Sequence, residues 1–459
     1  MTSTTPTVRG QKSRGRYRPD MLMYLTAAFL WVSIWRFQDL WPILGTIQLP
    51  LILESVLVAA LAMNLGGQRQ FKWIKSRIFL IPFLLLLLMA AGLPVSLWPG
   101  KSFNFLTHDF VPSVVLMLAV ALSLREAQDL EWMAFAYLIG AVIYSGWIYL
   151  FVSVGSDGRL GDLVYYDAND YAMLVVCTIP FALFFLRPGV ALWRRLFALA
   201  ALALFVQMII KSGSRGGFIG LIALMVYVIV AFRAIPARLR IGAVAGAIFI
   251  MTVFGSAVYW NMMGTILHPK DDYNMKEQSG RKFVWKRGIG YMLQRPILGV
   301  GAAAFEQAEG SMSAISKQYA AENRGLKWST AHNSFVLVGA ELGAGGLILF
   351  VTMIGTSFVH LYRIRSGPDE DPVIQPSDAA FAQTLTASLI GYCVSGFFVS
   401  GSYFSFLYAL VGFIVAEDSL RRRRHARAVT APVLEAARSP AALQRAVPRE
   451  ARTHWVPAG

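Results

Sequence analysis

Apolar runs long enough to cross a bilayer constrain this chain more than any other feature. A hydrocarbon core about 30 Å thick takes roughly 17–25 helical residues to cross. No water is available there to satisfy peptide groups, so each crossing segment must close its own hydrogen bonds. The candidate segments are Met21–Trp35, Trp41–Asn64, Ile78–Trp98, Phe110–Leu124, Trp132–Val154, Tyr171–Leu186, Trp193–Ile210, Gly217–Phe232, Ile241–Trp260, Ser334–Tyr362, Ala379–Phe398 and Tyr403–Ala416. The sequence therefore predicts an all-α, polytopic integral membrane protein of about 12 transmembrane helices with one large periplasmic loop. Residues 1–20 make a basic cytoplasmic N-terminus, 21–260 the first nine spans and 261–330 the large loop. Residues 331–417 hold the last three spans, and 418–459 form a basic tail read as disordered and cytoplasmic. Composition agrees: 15% of the residues are charged, against about a quarter in soluble domains. No cleavable signal peptide is expected, because the first span runs into the second without a small-residue cleavage site.

The net charge of +16 points first to nucleic acid, but its placement argues for a membrane topology instead. Basic residues concentrate in VRGQKSRGRYR, QRQFKWIKSR, RPGVALWRR, FRAIPARLR, YRIR and RRRRHAR. These alternate with poorly charged loops, as cytoplasmic segments do, and an even number of spans places both termini on that side. The rule fails at two outer places. The turn IIKSGSRGGF carries Lys211 and Arg215, and the loop 261–330 carries roughly ten Lys and Arg. Such residues are either simply solvated or kept for an anionic ligand.

Three stretches supply candidate chemistry. In KSGSRGG, glycines flank Arg215 at a helix start, a setting that suits phosphate oxygens. In RKFVWKRGIGYMLQRP, Ser279 reads as an N-cap and Pro296 as a stop. At 100° per residue Arg281, Val284, Trp285, Gly288, Tyr291, Met292 and Arg295 share a face, as on a helix at headgroup level or one facing a lipid phosphate. Pairing of Arg281 with Asp271 or Glu277 is the plainer alternative. In WSTAHNSF, His332 opens a span beside Asn333 and Ser334. It is either an interfacial histidine or a base able to deprotonate an alcohol. No two histidines stand three or four apart, so neither a metal site nor a cofactor is expected. Cys177 and Cys393 lie in apolar runs and read as packing residues. Asp167, Asn169 and Asp170 in YYDANDYA read as helix caps, and Glu54 and Glu341 as buried pairing groups.

Taken in order, the Ser-Arg-Gly-Gly turn, the Gly-Arg…Trp…Arg-Pro-Ile-Leu-Gly-Val-Gly segment and the His-Asn-Ser-Phe…Glu-Leu-Gly stretch resemble the bacterial O-antigen ligase and polymerase superfamily. That resemblance implies an inner-membrane glycosyltransferase with its site facing the periplasm. It also implies an undecaprenyl-diphosphate-linked glycan donor and, for a ligase, a lipid A–core acceptor. Arg215 and Arg281 would then hold the diphosphate, and His332 would act on the acceptor hydroxyl. Lys211, Trp285, Arg287, Arg295, Asn333 and Ser334 would line the substrates, membrane lipid being the other partner and nucleic acid none. Polymerases share these motifs, and their acceptor is another lipid-linked glycan. A flippase or transporter is the non-enzymatic rival, usually marked by internal repeats; none is convincing here.

Overall fold

The computed structural model describes residues 17–64, 74, 76–161, 163–268, 277, 278, 280–325, 328–365 and 375–438. Asp271, Ser279 and much of the basic QRQFKWIKSR segment lie outside that set. The described residues are helical, with a single isolated bridge between Val154 and Leu160. Numbering the longer helices in chain order gives α1 Met21–Ser33, α2 Leu49–Asn64, α3 Arg77–Val95, α4 Pro99–Ser123 and α5 Ala127–Phe151. There follow α6 Ala168–Phe184, α7 Leu192–Ser212, α8 Arg215–Val230 and α9 Ala237–Phe254. The series closes with α10 Arg281–Gln294, α11 Ser334–Arg365, α12 Pro376–Gly396 and α13 Ser405–Arg438.

A helix underlies each apolar segment, and six are long and apolar enough to cross a membrane: α3, α4, α5, α7, α9 and α11. α1, α2, α6 and α8 are apolar but shorter. Burial separates the helices into an inner and an outer set. From Tyr171 to Phe184 every residue of α6 is buried, and α12 is nearly as enclosed. A helix apolar on all sides belongs in such a position. α9 is the opposite case, with Met251 its single buried residue while Ile241, Ile248, Phe249, Val253 and Phe254 face outward. So wide an apolar surface has no place in water, and its natural solvent is lipid. The molecule is a membrane protein.

Four boundaries depart from expectation. α4 begins at Pro99 rather than Phe110 and passes through a π-helical stretch, Leu106–Phe110, so Lys101 sits on a helix and not in a loop. The run Ile241–Trp260 breaks at Gly255 and resumes as Ala257–Gly264, capped by Ser256. The hydrophilic stretch 261–330 is not one loop, for it contains α10 and the short helices Phe305–Ser311 and Ala314–Ala321. The tail does not begin as a disordered arm either. α13 continues to Arg438, held by Arg422 on Asp418 (2.7 Å) one turn earlier and by Arg424 on Asp378 of α12. Arginine- and alanine-rich sequence favours helix, and an i,i+4 ion pair adds to it.

The most consequential local feature is a break in α11. At Gly343 the backbone takes φ 71° and ψ −173°, and the helical ladder opens. The carbonyls of Ala340 and Glu341 accept instead from the N–H groups of Val300 and Gly301 (2.9 and 3.0 Å), and Ala344 N–H donates to the carbonyl of Pro296 (2.8 Å). A Cβ at Gly343 would overlap the Pro296 carbonyl, and one at Gly299 (φ 66°) would overlap the backbone of Glu341. The PILGVG and ELGAG stretches are thus two sides of one backbone junction.

Arginines mark the end of the bundle opposite the start of α11. There Arg125 meets Asp20 and Asp129, Arg187 meets Glu131, and Arg424 meets Asp378. The remaining candidate residues lie at the other end.

Candidate functional site

α7 ends in a left-handed Gly213 (φ 59°, ψ 19°), the usual glycine stop, and α8 begins two residues later. Ser214 caps α8 by accepting from Gly217 N–H (3.1 Å), while its hydroxyl donates to Asn169 Oδ1 (3.0 Å) at the start of α6. Asp167 caps α6 as expected, accepting from the N–H groups of Asn169 and Asp170 (both 2.7 Å). The glycines do not offer an open backbone to phosphate, as the motif suggested. A Cβ on Gly216 would lie 2.8 Å from Phe398, and one on Gly217 would lie 2.7 Å from Ala172, so both glycines let α8 close against its neighbours. What the turn presents is the half-buried Arg215 side chain, whose Nη1 donates to Thr265 Oγ1 (2.8 Å). Lys211 faces elsewhere, its ammonium donating to the carbonyls of Tyr149 and Val152 (2.9 and 3.1 Å) at the end of α5.

The face of α10 foreseen at headgroup level is instead a packing face on α11. Val284, Gly288 and Tyr291 are buried, and a Cβ on Gly288 would come 2.5 Å from Val336. Trp285 packs edge-on against Phe397 (5.1 Å between centroids) and donates its indole N–H to the carbonyl of Ala331 (2.9 Å). Arg281 stands one turn before Trp285 and opens the helix. Arg287 is taken up internally: its Nε donates to Glu309 Oε1 (2.8 Å), and Tyr291 donates to the same oxygen (2.7 Å). Burial disfavours the Arg287 cation, yet Glu309, fully buried opposite it, holds its pKa above the ordinary value. Burial first, and the Glu309 charge second, push the Tyr291 phenol up as well. Arg295 reaches away, donating to the carbonyl of Val95 (2.9 Å).

His332 lies on a strap held to residues 397–402, the connection between α12 and α13. Its φ of 46° is left-handed, which is uncommon outside glycine and recurs at functional sites. Its N–H donates to Ser400 Oγ (2.8 Å), which also shares a hydrogen bond with Thr330 Oγ1 (3.0 Å). Asn333 and Ser334, expected to touch sugar, have buried side chains already engaged within the fold. Asn333 Oδ1 caps α11 by accepting from Phe335 and Val336 N–H (2.9 and 3.1 Å). Ser334 Oγ donates to the carbonyl of Val399 (2.8 Å) and accepts from Gly401 N–H (3.1 Å). Ser402 Oγ donates to the carbonyl of Ser334 (2.9 Å).

Three elements distant in sequence therefore share one small platform. Phe398 covers the Arg215 turn, Phe397 packs on the helix opened by Arg281, and Ser400 fixes the backbone of His332. The platform residues carried no separate signal beyond the short Ser-Gly-Ser turn between two apolar runs. Among the described residues no group of His, Cys, Asp or Glu is arranged to hold a metal ion.

The Arg215 turn, α10 and the His332 strap fall where a known family matches, and the 397–402 platform lies beyond that segment. Residues 198–351, which carry Lys211, Arg215, Arg281 and His332, match the family described as O-Antigen ligase. Over 212 residues the chain is 25% identical to a Rickettsia conorii protein bearing the provisional name polysaccharide ligase; the match covers 41% of this chain and 49% of that one. The chain thus spans about half the length of that relative. The resemblance to the O-antigen ligase superfamily holds over this segment.

Proposed function

We propose that this chain is an inner-membrane glycosyltransferase of the O-antigen ligase type. It has about 12 spans, both termini in the cytoplasm and the platform end facing the periplasm. Its donor is an undecaprenyl-diphosphate-linked glycan and its acceptor a sugar hydroxyl of lipid A–core. The observation that carries this reading is the convergence of the Arg215 turn, the helix that Arg281 opens and the His332 strap on residues 397–402. The acceptor oxygen attacks the anomeric carbon while the bond from that carbon to the phosphate oxygen breaks. His332 takes the hydroxyl proton, and the electron pair leaves with the lipid diphosphate. Attack from the face opposite the leaving group inverts the anomeric centre. The two guanidiniums compensate the charge growing on the diphosphate, a task fixed cations perform without a metal.

Reconstitution of purified protein with lipid-diphosphate glycan and lipid A–core tests this directly. Arg215→Ala and Arg281→Ala are each expected to lower transfer by about 100-fold or more. His332→Ala is expected to lower it by roughly 100–10,000-fold. EDTA is expected to leave the wild-type rate unchanged. Near-normal transfer by all three variants removes the assignment. Products extended on the lipid carrier, with lipid A–core left unmodified, identify a polymerase instead.

A further inference from the structure

A small cavity lies beside the His332 strap. Its volume is about 190 Å³, room for one sugar ring but small beside the 300–1,000 Å³ typical of pockets for larger ligands. Thr330 and Ser400, the two hydroxyls that hold the strap, form part of its wall. At its rim Lys101 pairs with Glu306 (3.2 Å), both side chains more than a third exposed. Glu341 and Tyr403, buried to within 2% and 8% exposure, also line it. Glu341 Oε1 accepts from Phe305 N–H (3.2 Å), and the Tyr403 hydroxyl lies against the Glu341 carboxyl. A carboxyl, a phenol and two hydroxyls thus border one small space, a lining suited to a ligand that both donates and accepts.

We propose that this cavity seats the terminal sugar of the acceptor, as an unphosphorylated ring, so that one of its hydroxyls is presented to His332. The inference rests on the transferase reading above and adds where the acceptor binds and what charge it carries. Sign decides between the two substrates. Of the lining charges, Lys101 is already paired with Glu306, and Arg36, lying over Tyr165, offsets Asp109. Such a lining offers the donor diphosphate no spare cation, whereas the guanidiniums of Arg215 and Arg281 attract it. Sugar hydroxyls both donate and accept, matching Glu341 and Tyr403 together. The ring of Phe404, and the face of Tyr165 opposite the one that Arg36 covers (4.0 Å), offer flat apolar surfaces to the C–H side of a pyranose.

Full-length protein in nanodiscs provides the test, with initial rates measured against acceptor and against donor separately. Tyr165→Ala, at a partly exposed position, and Glu306→Gln are expected to raise the acceptor KM about ten-fold, with the donor KM moving by less than about two-fold. Removing phosphate from the acceptor core is expected to leave its use intact or improved. An unchanged acceptor KM in both variants, or an equal rise in donor KM, overturns the assignment. A photo-crosslinkable unphosphorylated core oligosaccharide, added without donor, gives an answer independent of turnover. Labelling at Tyr165 or within residues 400–404 supports the subsite, and labelling confined elsewhere defeats it. If the wild-type protein forms no glycosidic bond yet is labelled there, the transferase reading fails and the sugar site stands.

Discussion

At the scale of single residues, His332 is the position whose surroundings are most determined. Its left-handed backbone is held by one N–H···O bond to Ser400, between two neighbours whose carbonyl and side chain are fixed by Trp285 and by the α11 cap. Ser400 is thus a positioning residue. Ser400→Ala is expected to lower kcat about ten-fold while the donor KM and the thermal midpoint in detergent hold, because the three contacts of Ser334 still bind the strap. An unaltered kcat would show that the imidazole is placed by other means. Asn333→Ala should act differently, costing about 1 kcal/mol of stability through the lost cap, and Asn333→Asp should restore it; thermal unfolding distinguishes the two.

Elements carry the next level of explanation. Glu309, Arg287 and Tyr291 join α10 to the short helix Phe305–Ser311 through a buried charge pair. Removing one partner strands the other charge, so Glu309→Ala is expected to destabilise by about 3–5 kcal/mol. The folded-state pKa of Tyr291 is raised, so its contribution is whole below the ordinary tyrosine value near 10 and fades only at higher pH. An unfolding midpoint that drifted across the neutral range would contradict that sign. Apolar length made the helices legible in the sequence, and residue type made Arg215, Arg281 and His332 legible as candidates. The pairings were not legible. Arg287 and Arg295 look as available as Arg281 when read in a row, and only the fold shows Glu309 and the Val95 carbonyl already holding them. Asn333 and Ser334 resemble sugar-binding groups for the same reason: a capping side chain and a recognising one are chemically identical. The 397–402 platform stayed hidden because its role is to touch three segments far from it along the chain.

For the whole molecule, the decisive matter is which end faces which compartment. Arg125, Arg187 and Arg424 lie at one end, and the Arg215 turn and His332 strap at the other. In a Cys393→Ser background, an exposed site-end position such as Asp157→Cys should react with membrane-impermeant maleimide in intact spheroplasts, and Arg238→Cys should not. The reverse pattern would remove the proposed function at once, since lipid-linked polymer would lie on the wrong side of the bilayer.

The interruption at Gly343 bears on biogenesis. A membrane helix normally leaves the insertion machinery with every peptide group satisfied, because one left bare in hydrocarbon costs several kcal/mol. α11 cannot do so alone: two of its carbonyls and one N–H wait for Pro296, Val300 and Gly301. Those residues are synthesised first, so the earlier segment must already be in place as the later helix arrives. Gly343→Ala or Gly299→Ala should therefore lower the yield of inserted, protease-resistant protein more than it lowers the specific activity of what survives. Quality control would act on this junction before catalysis ever could.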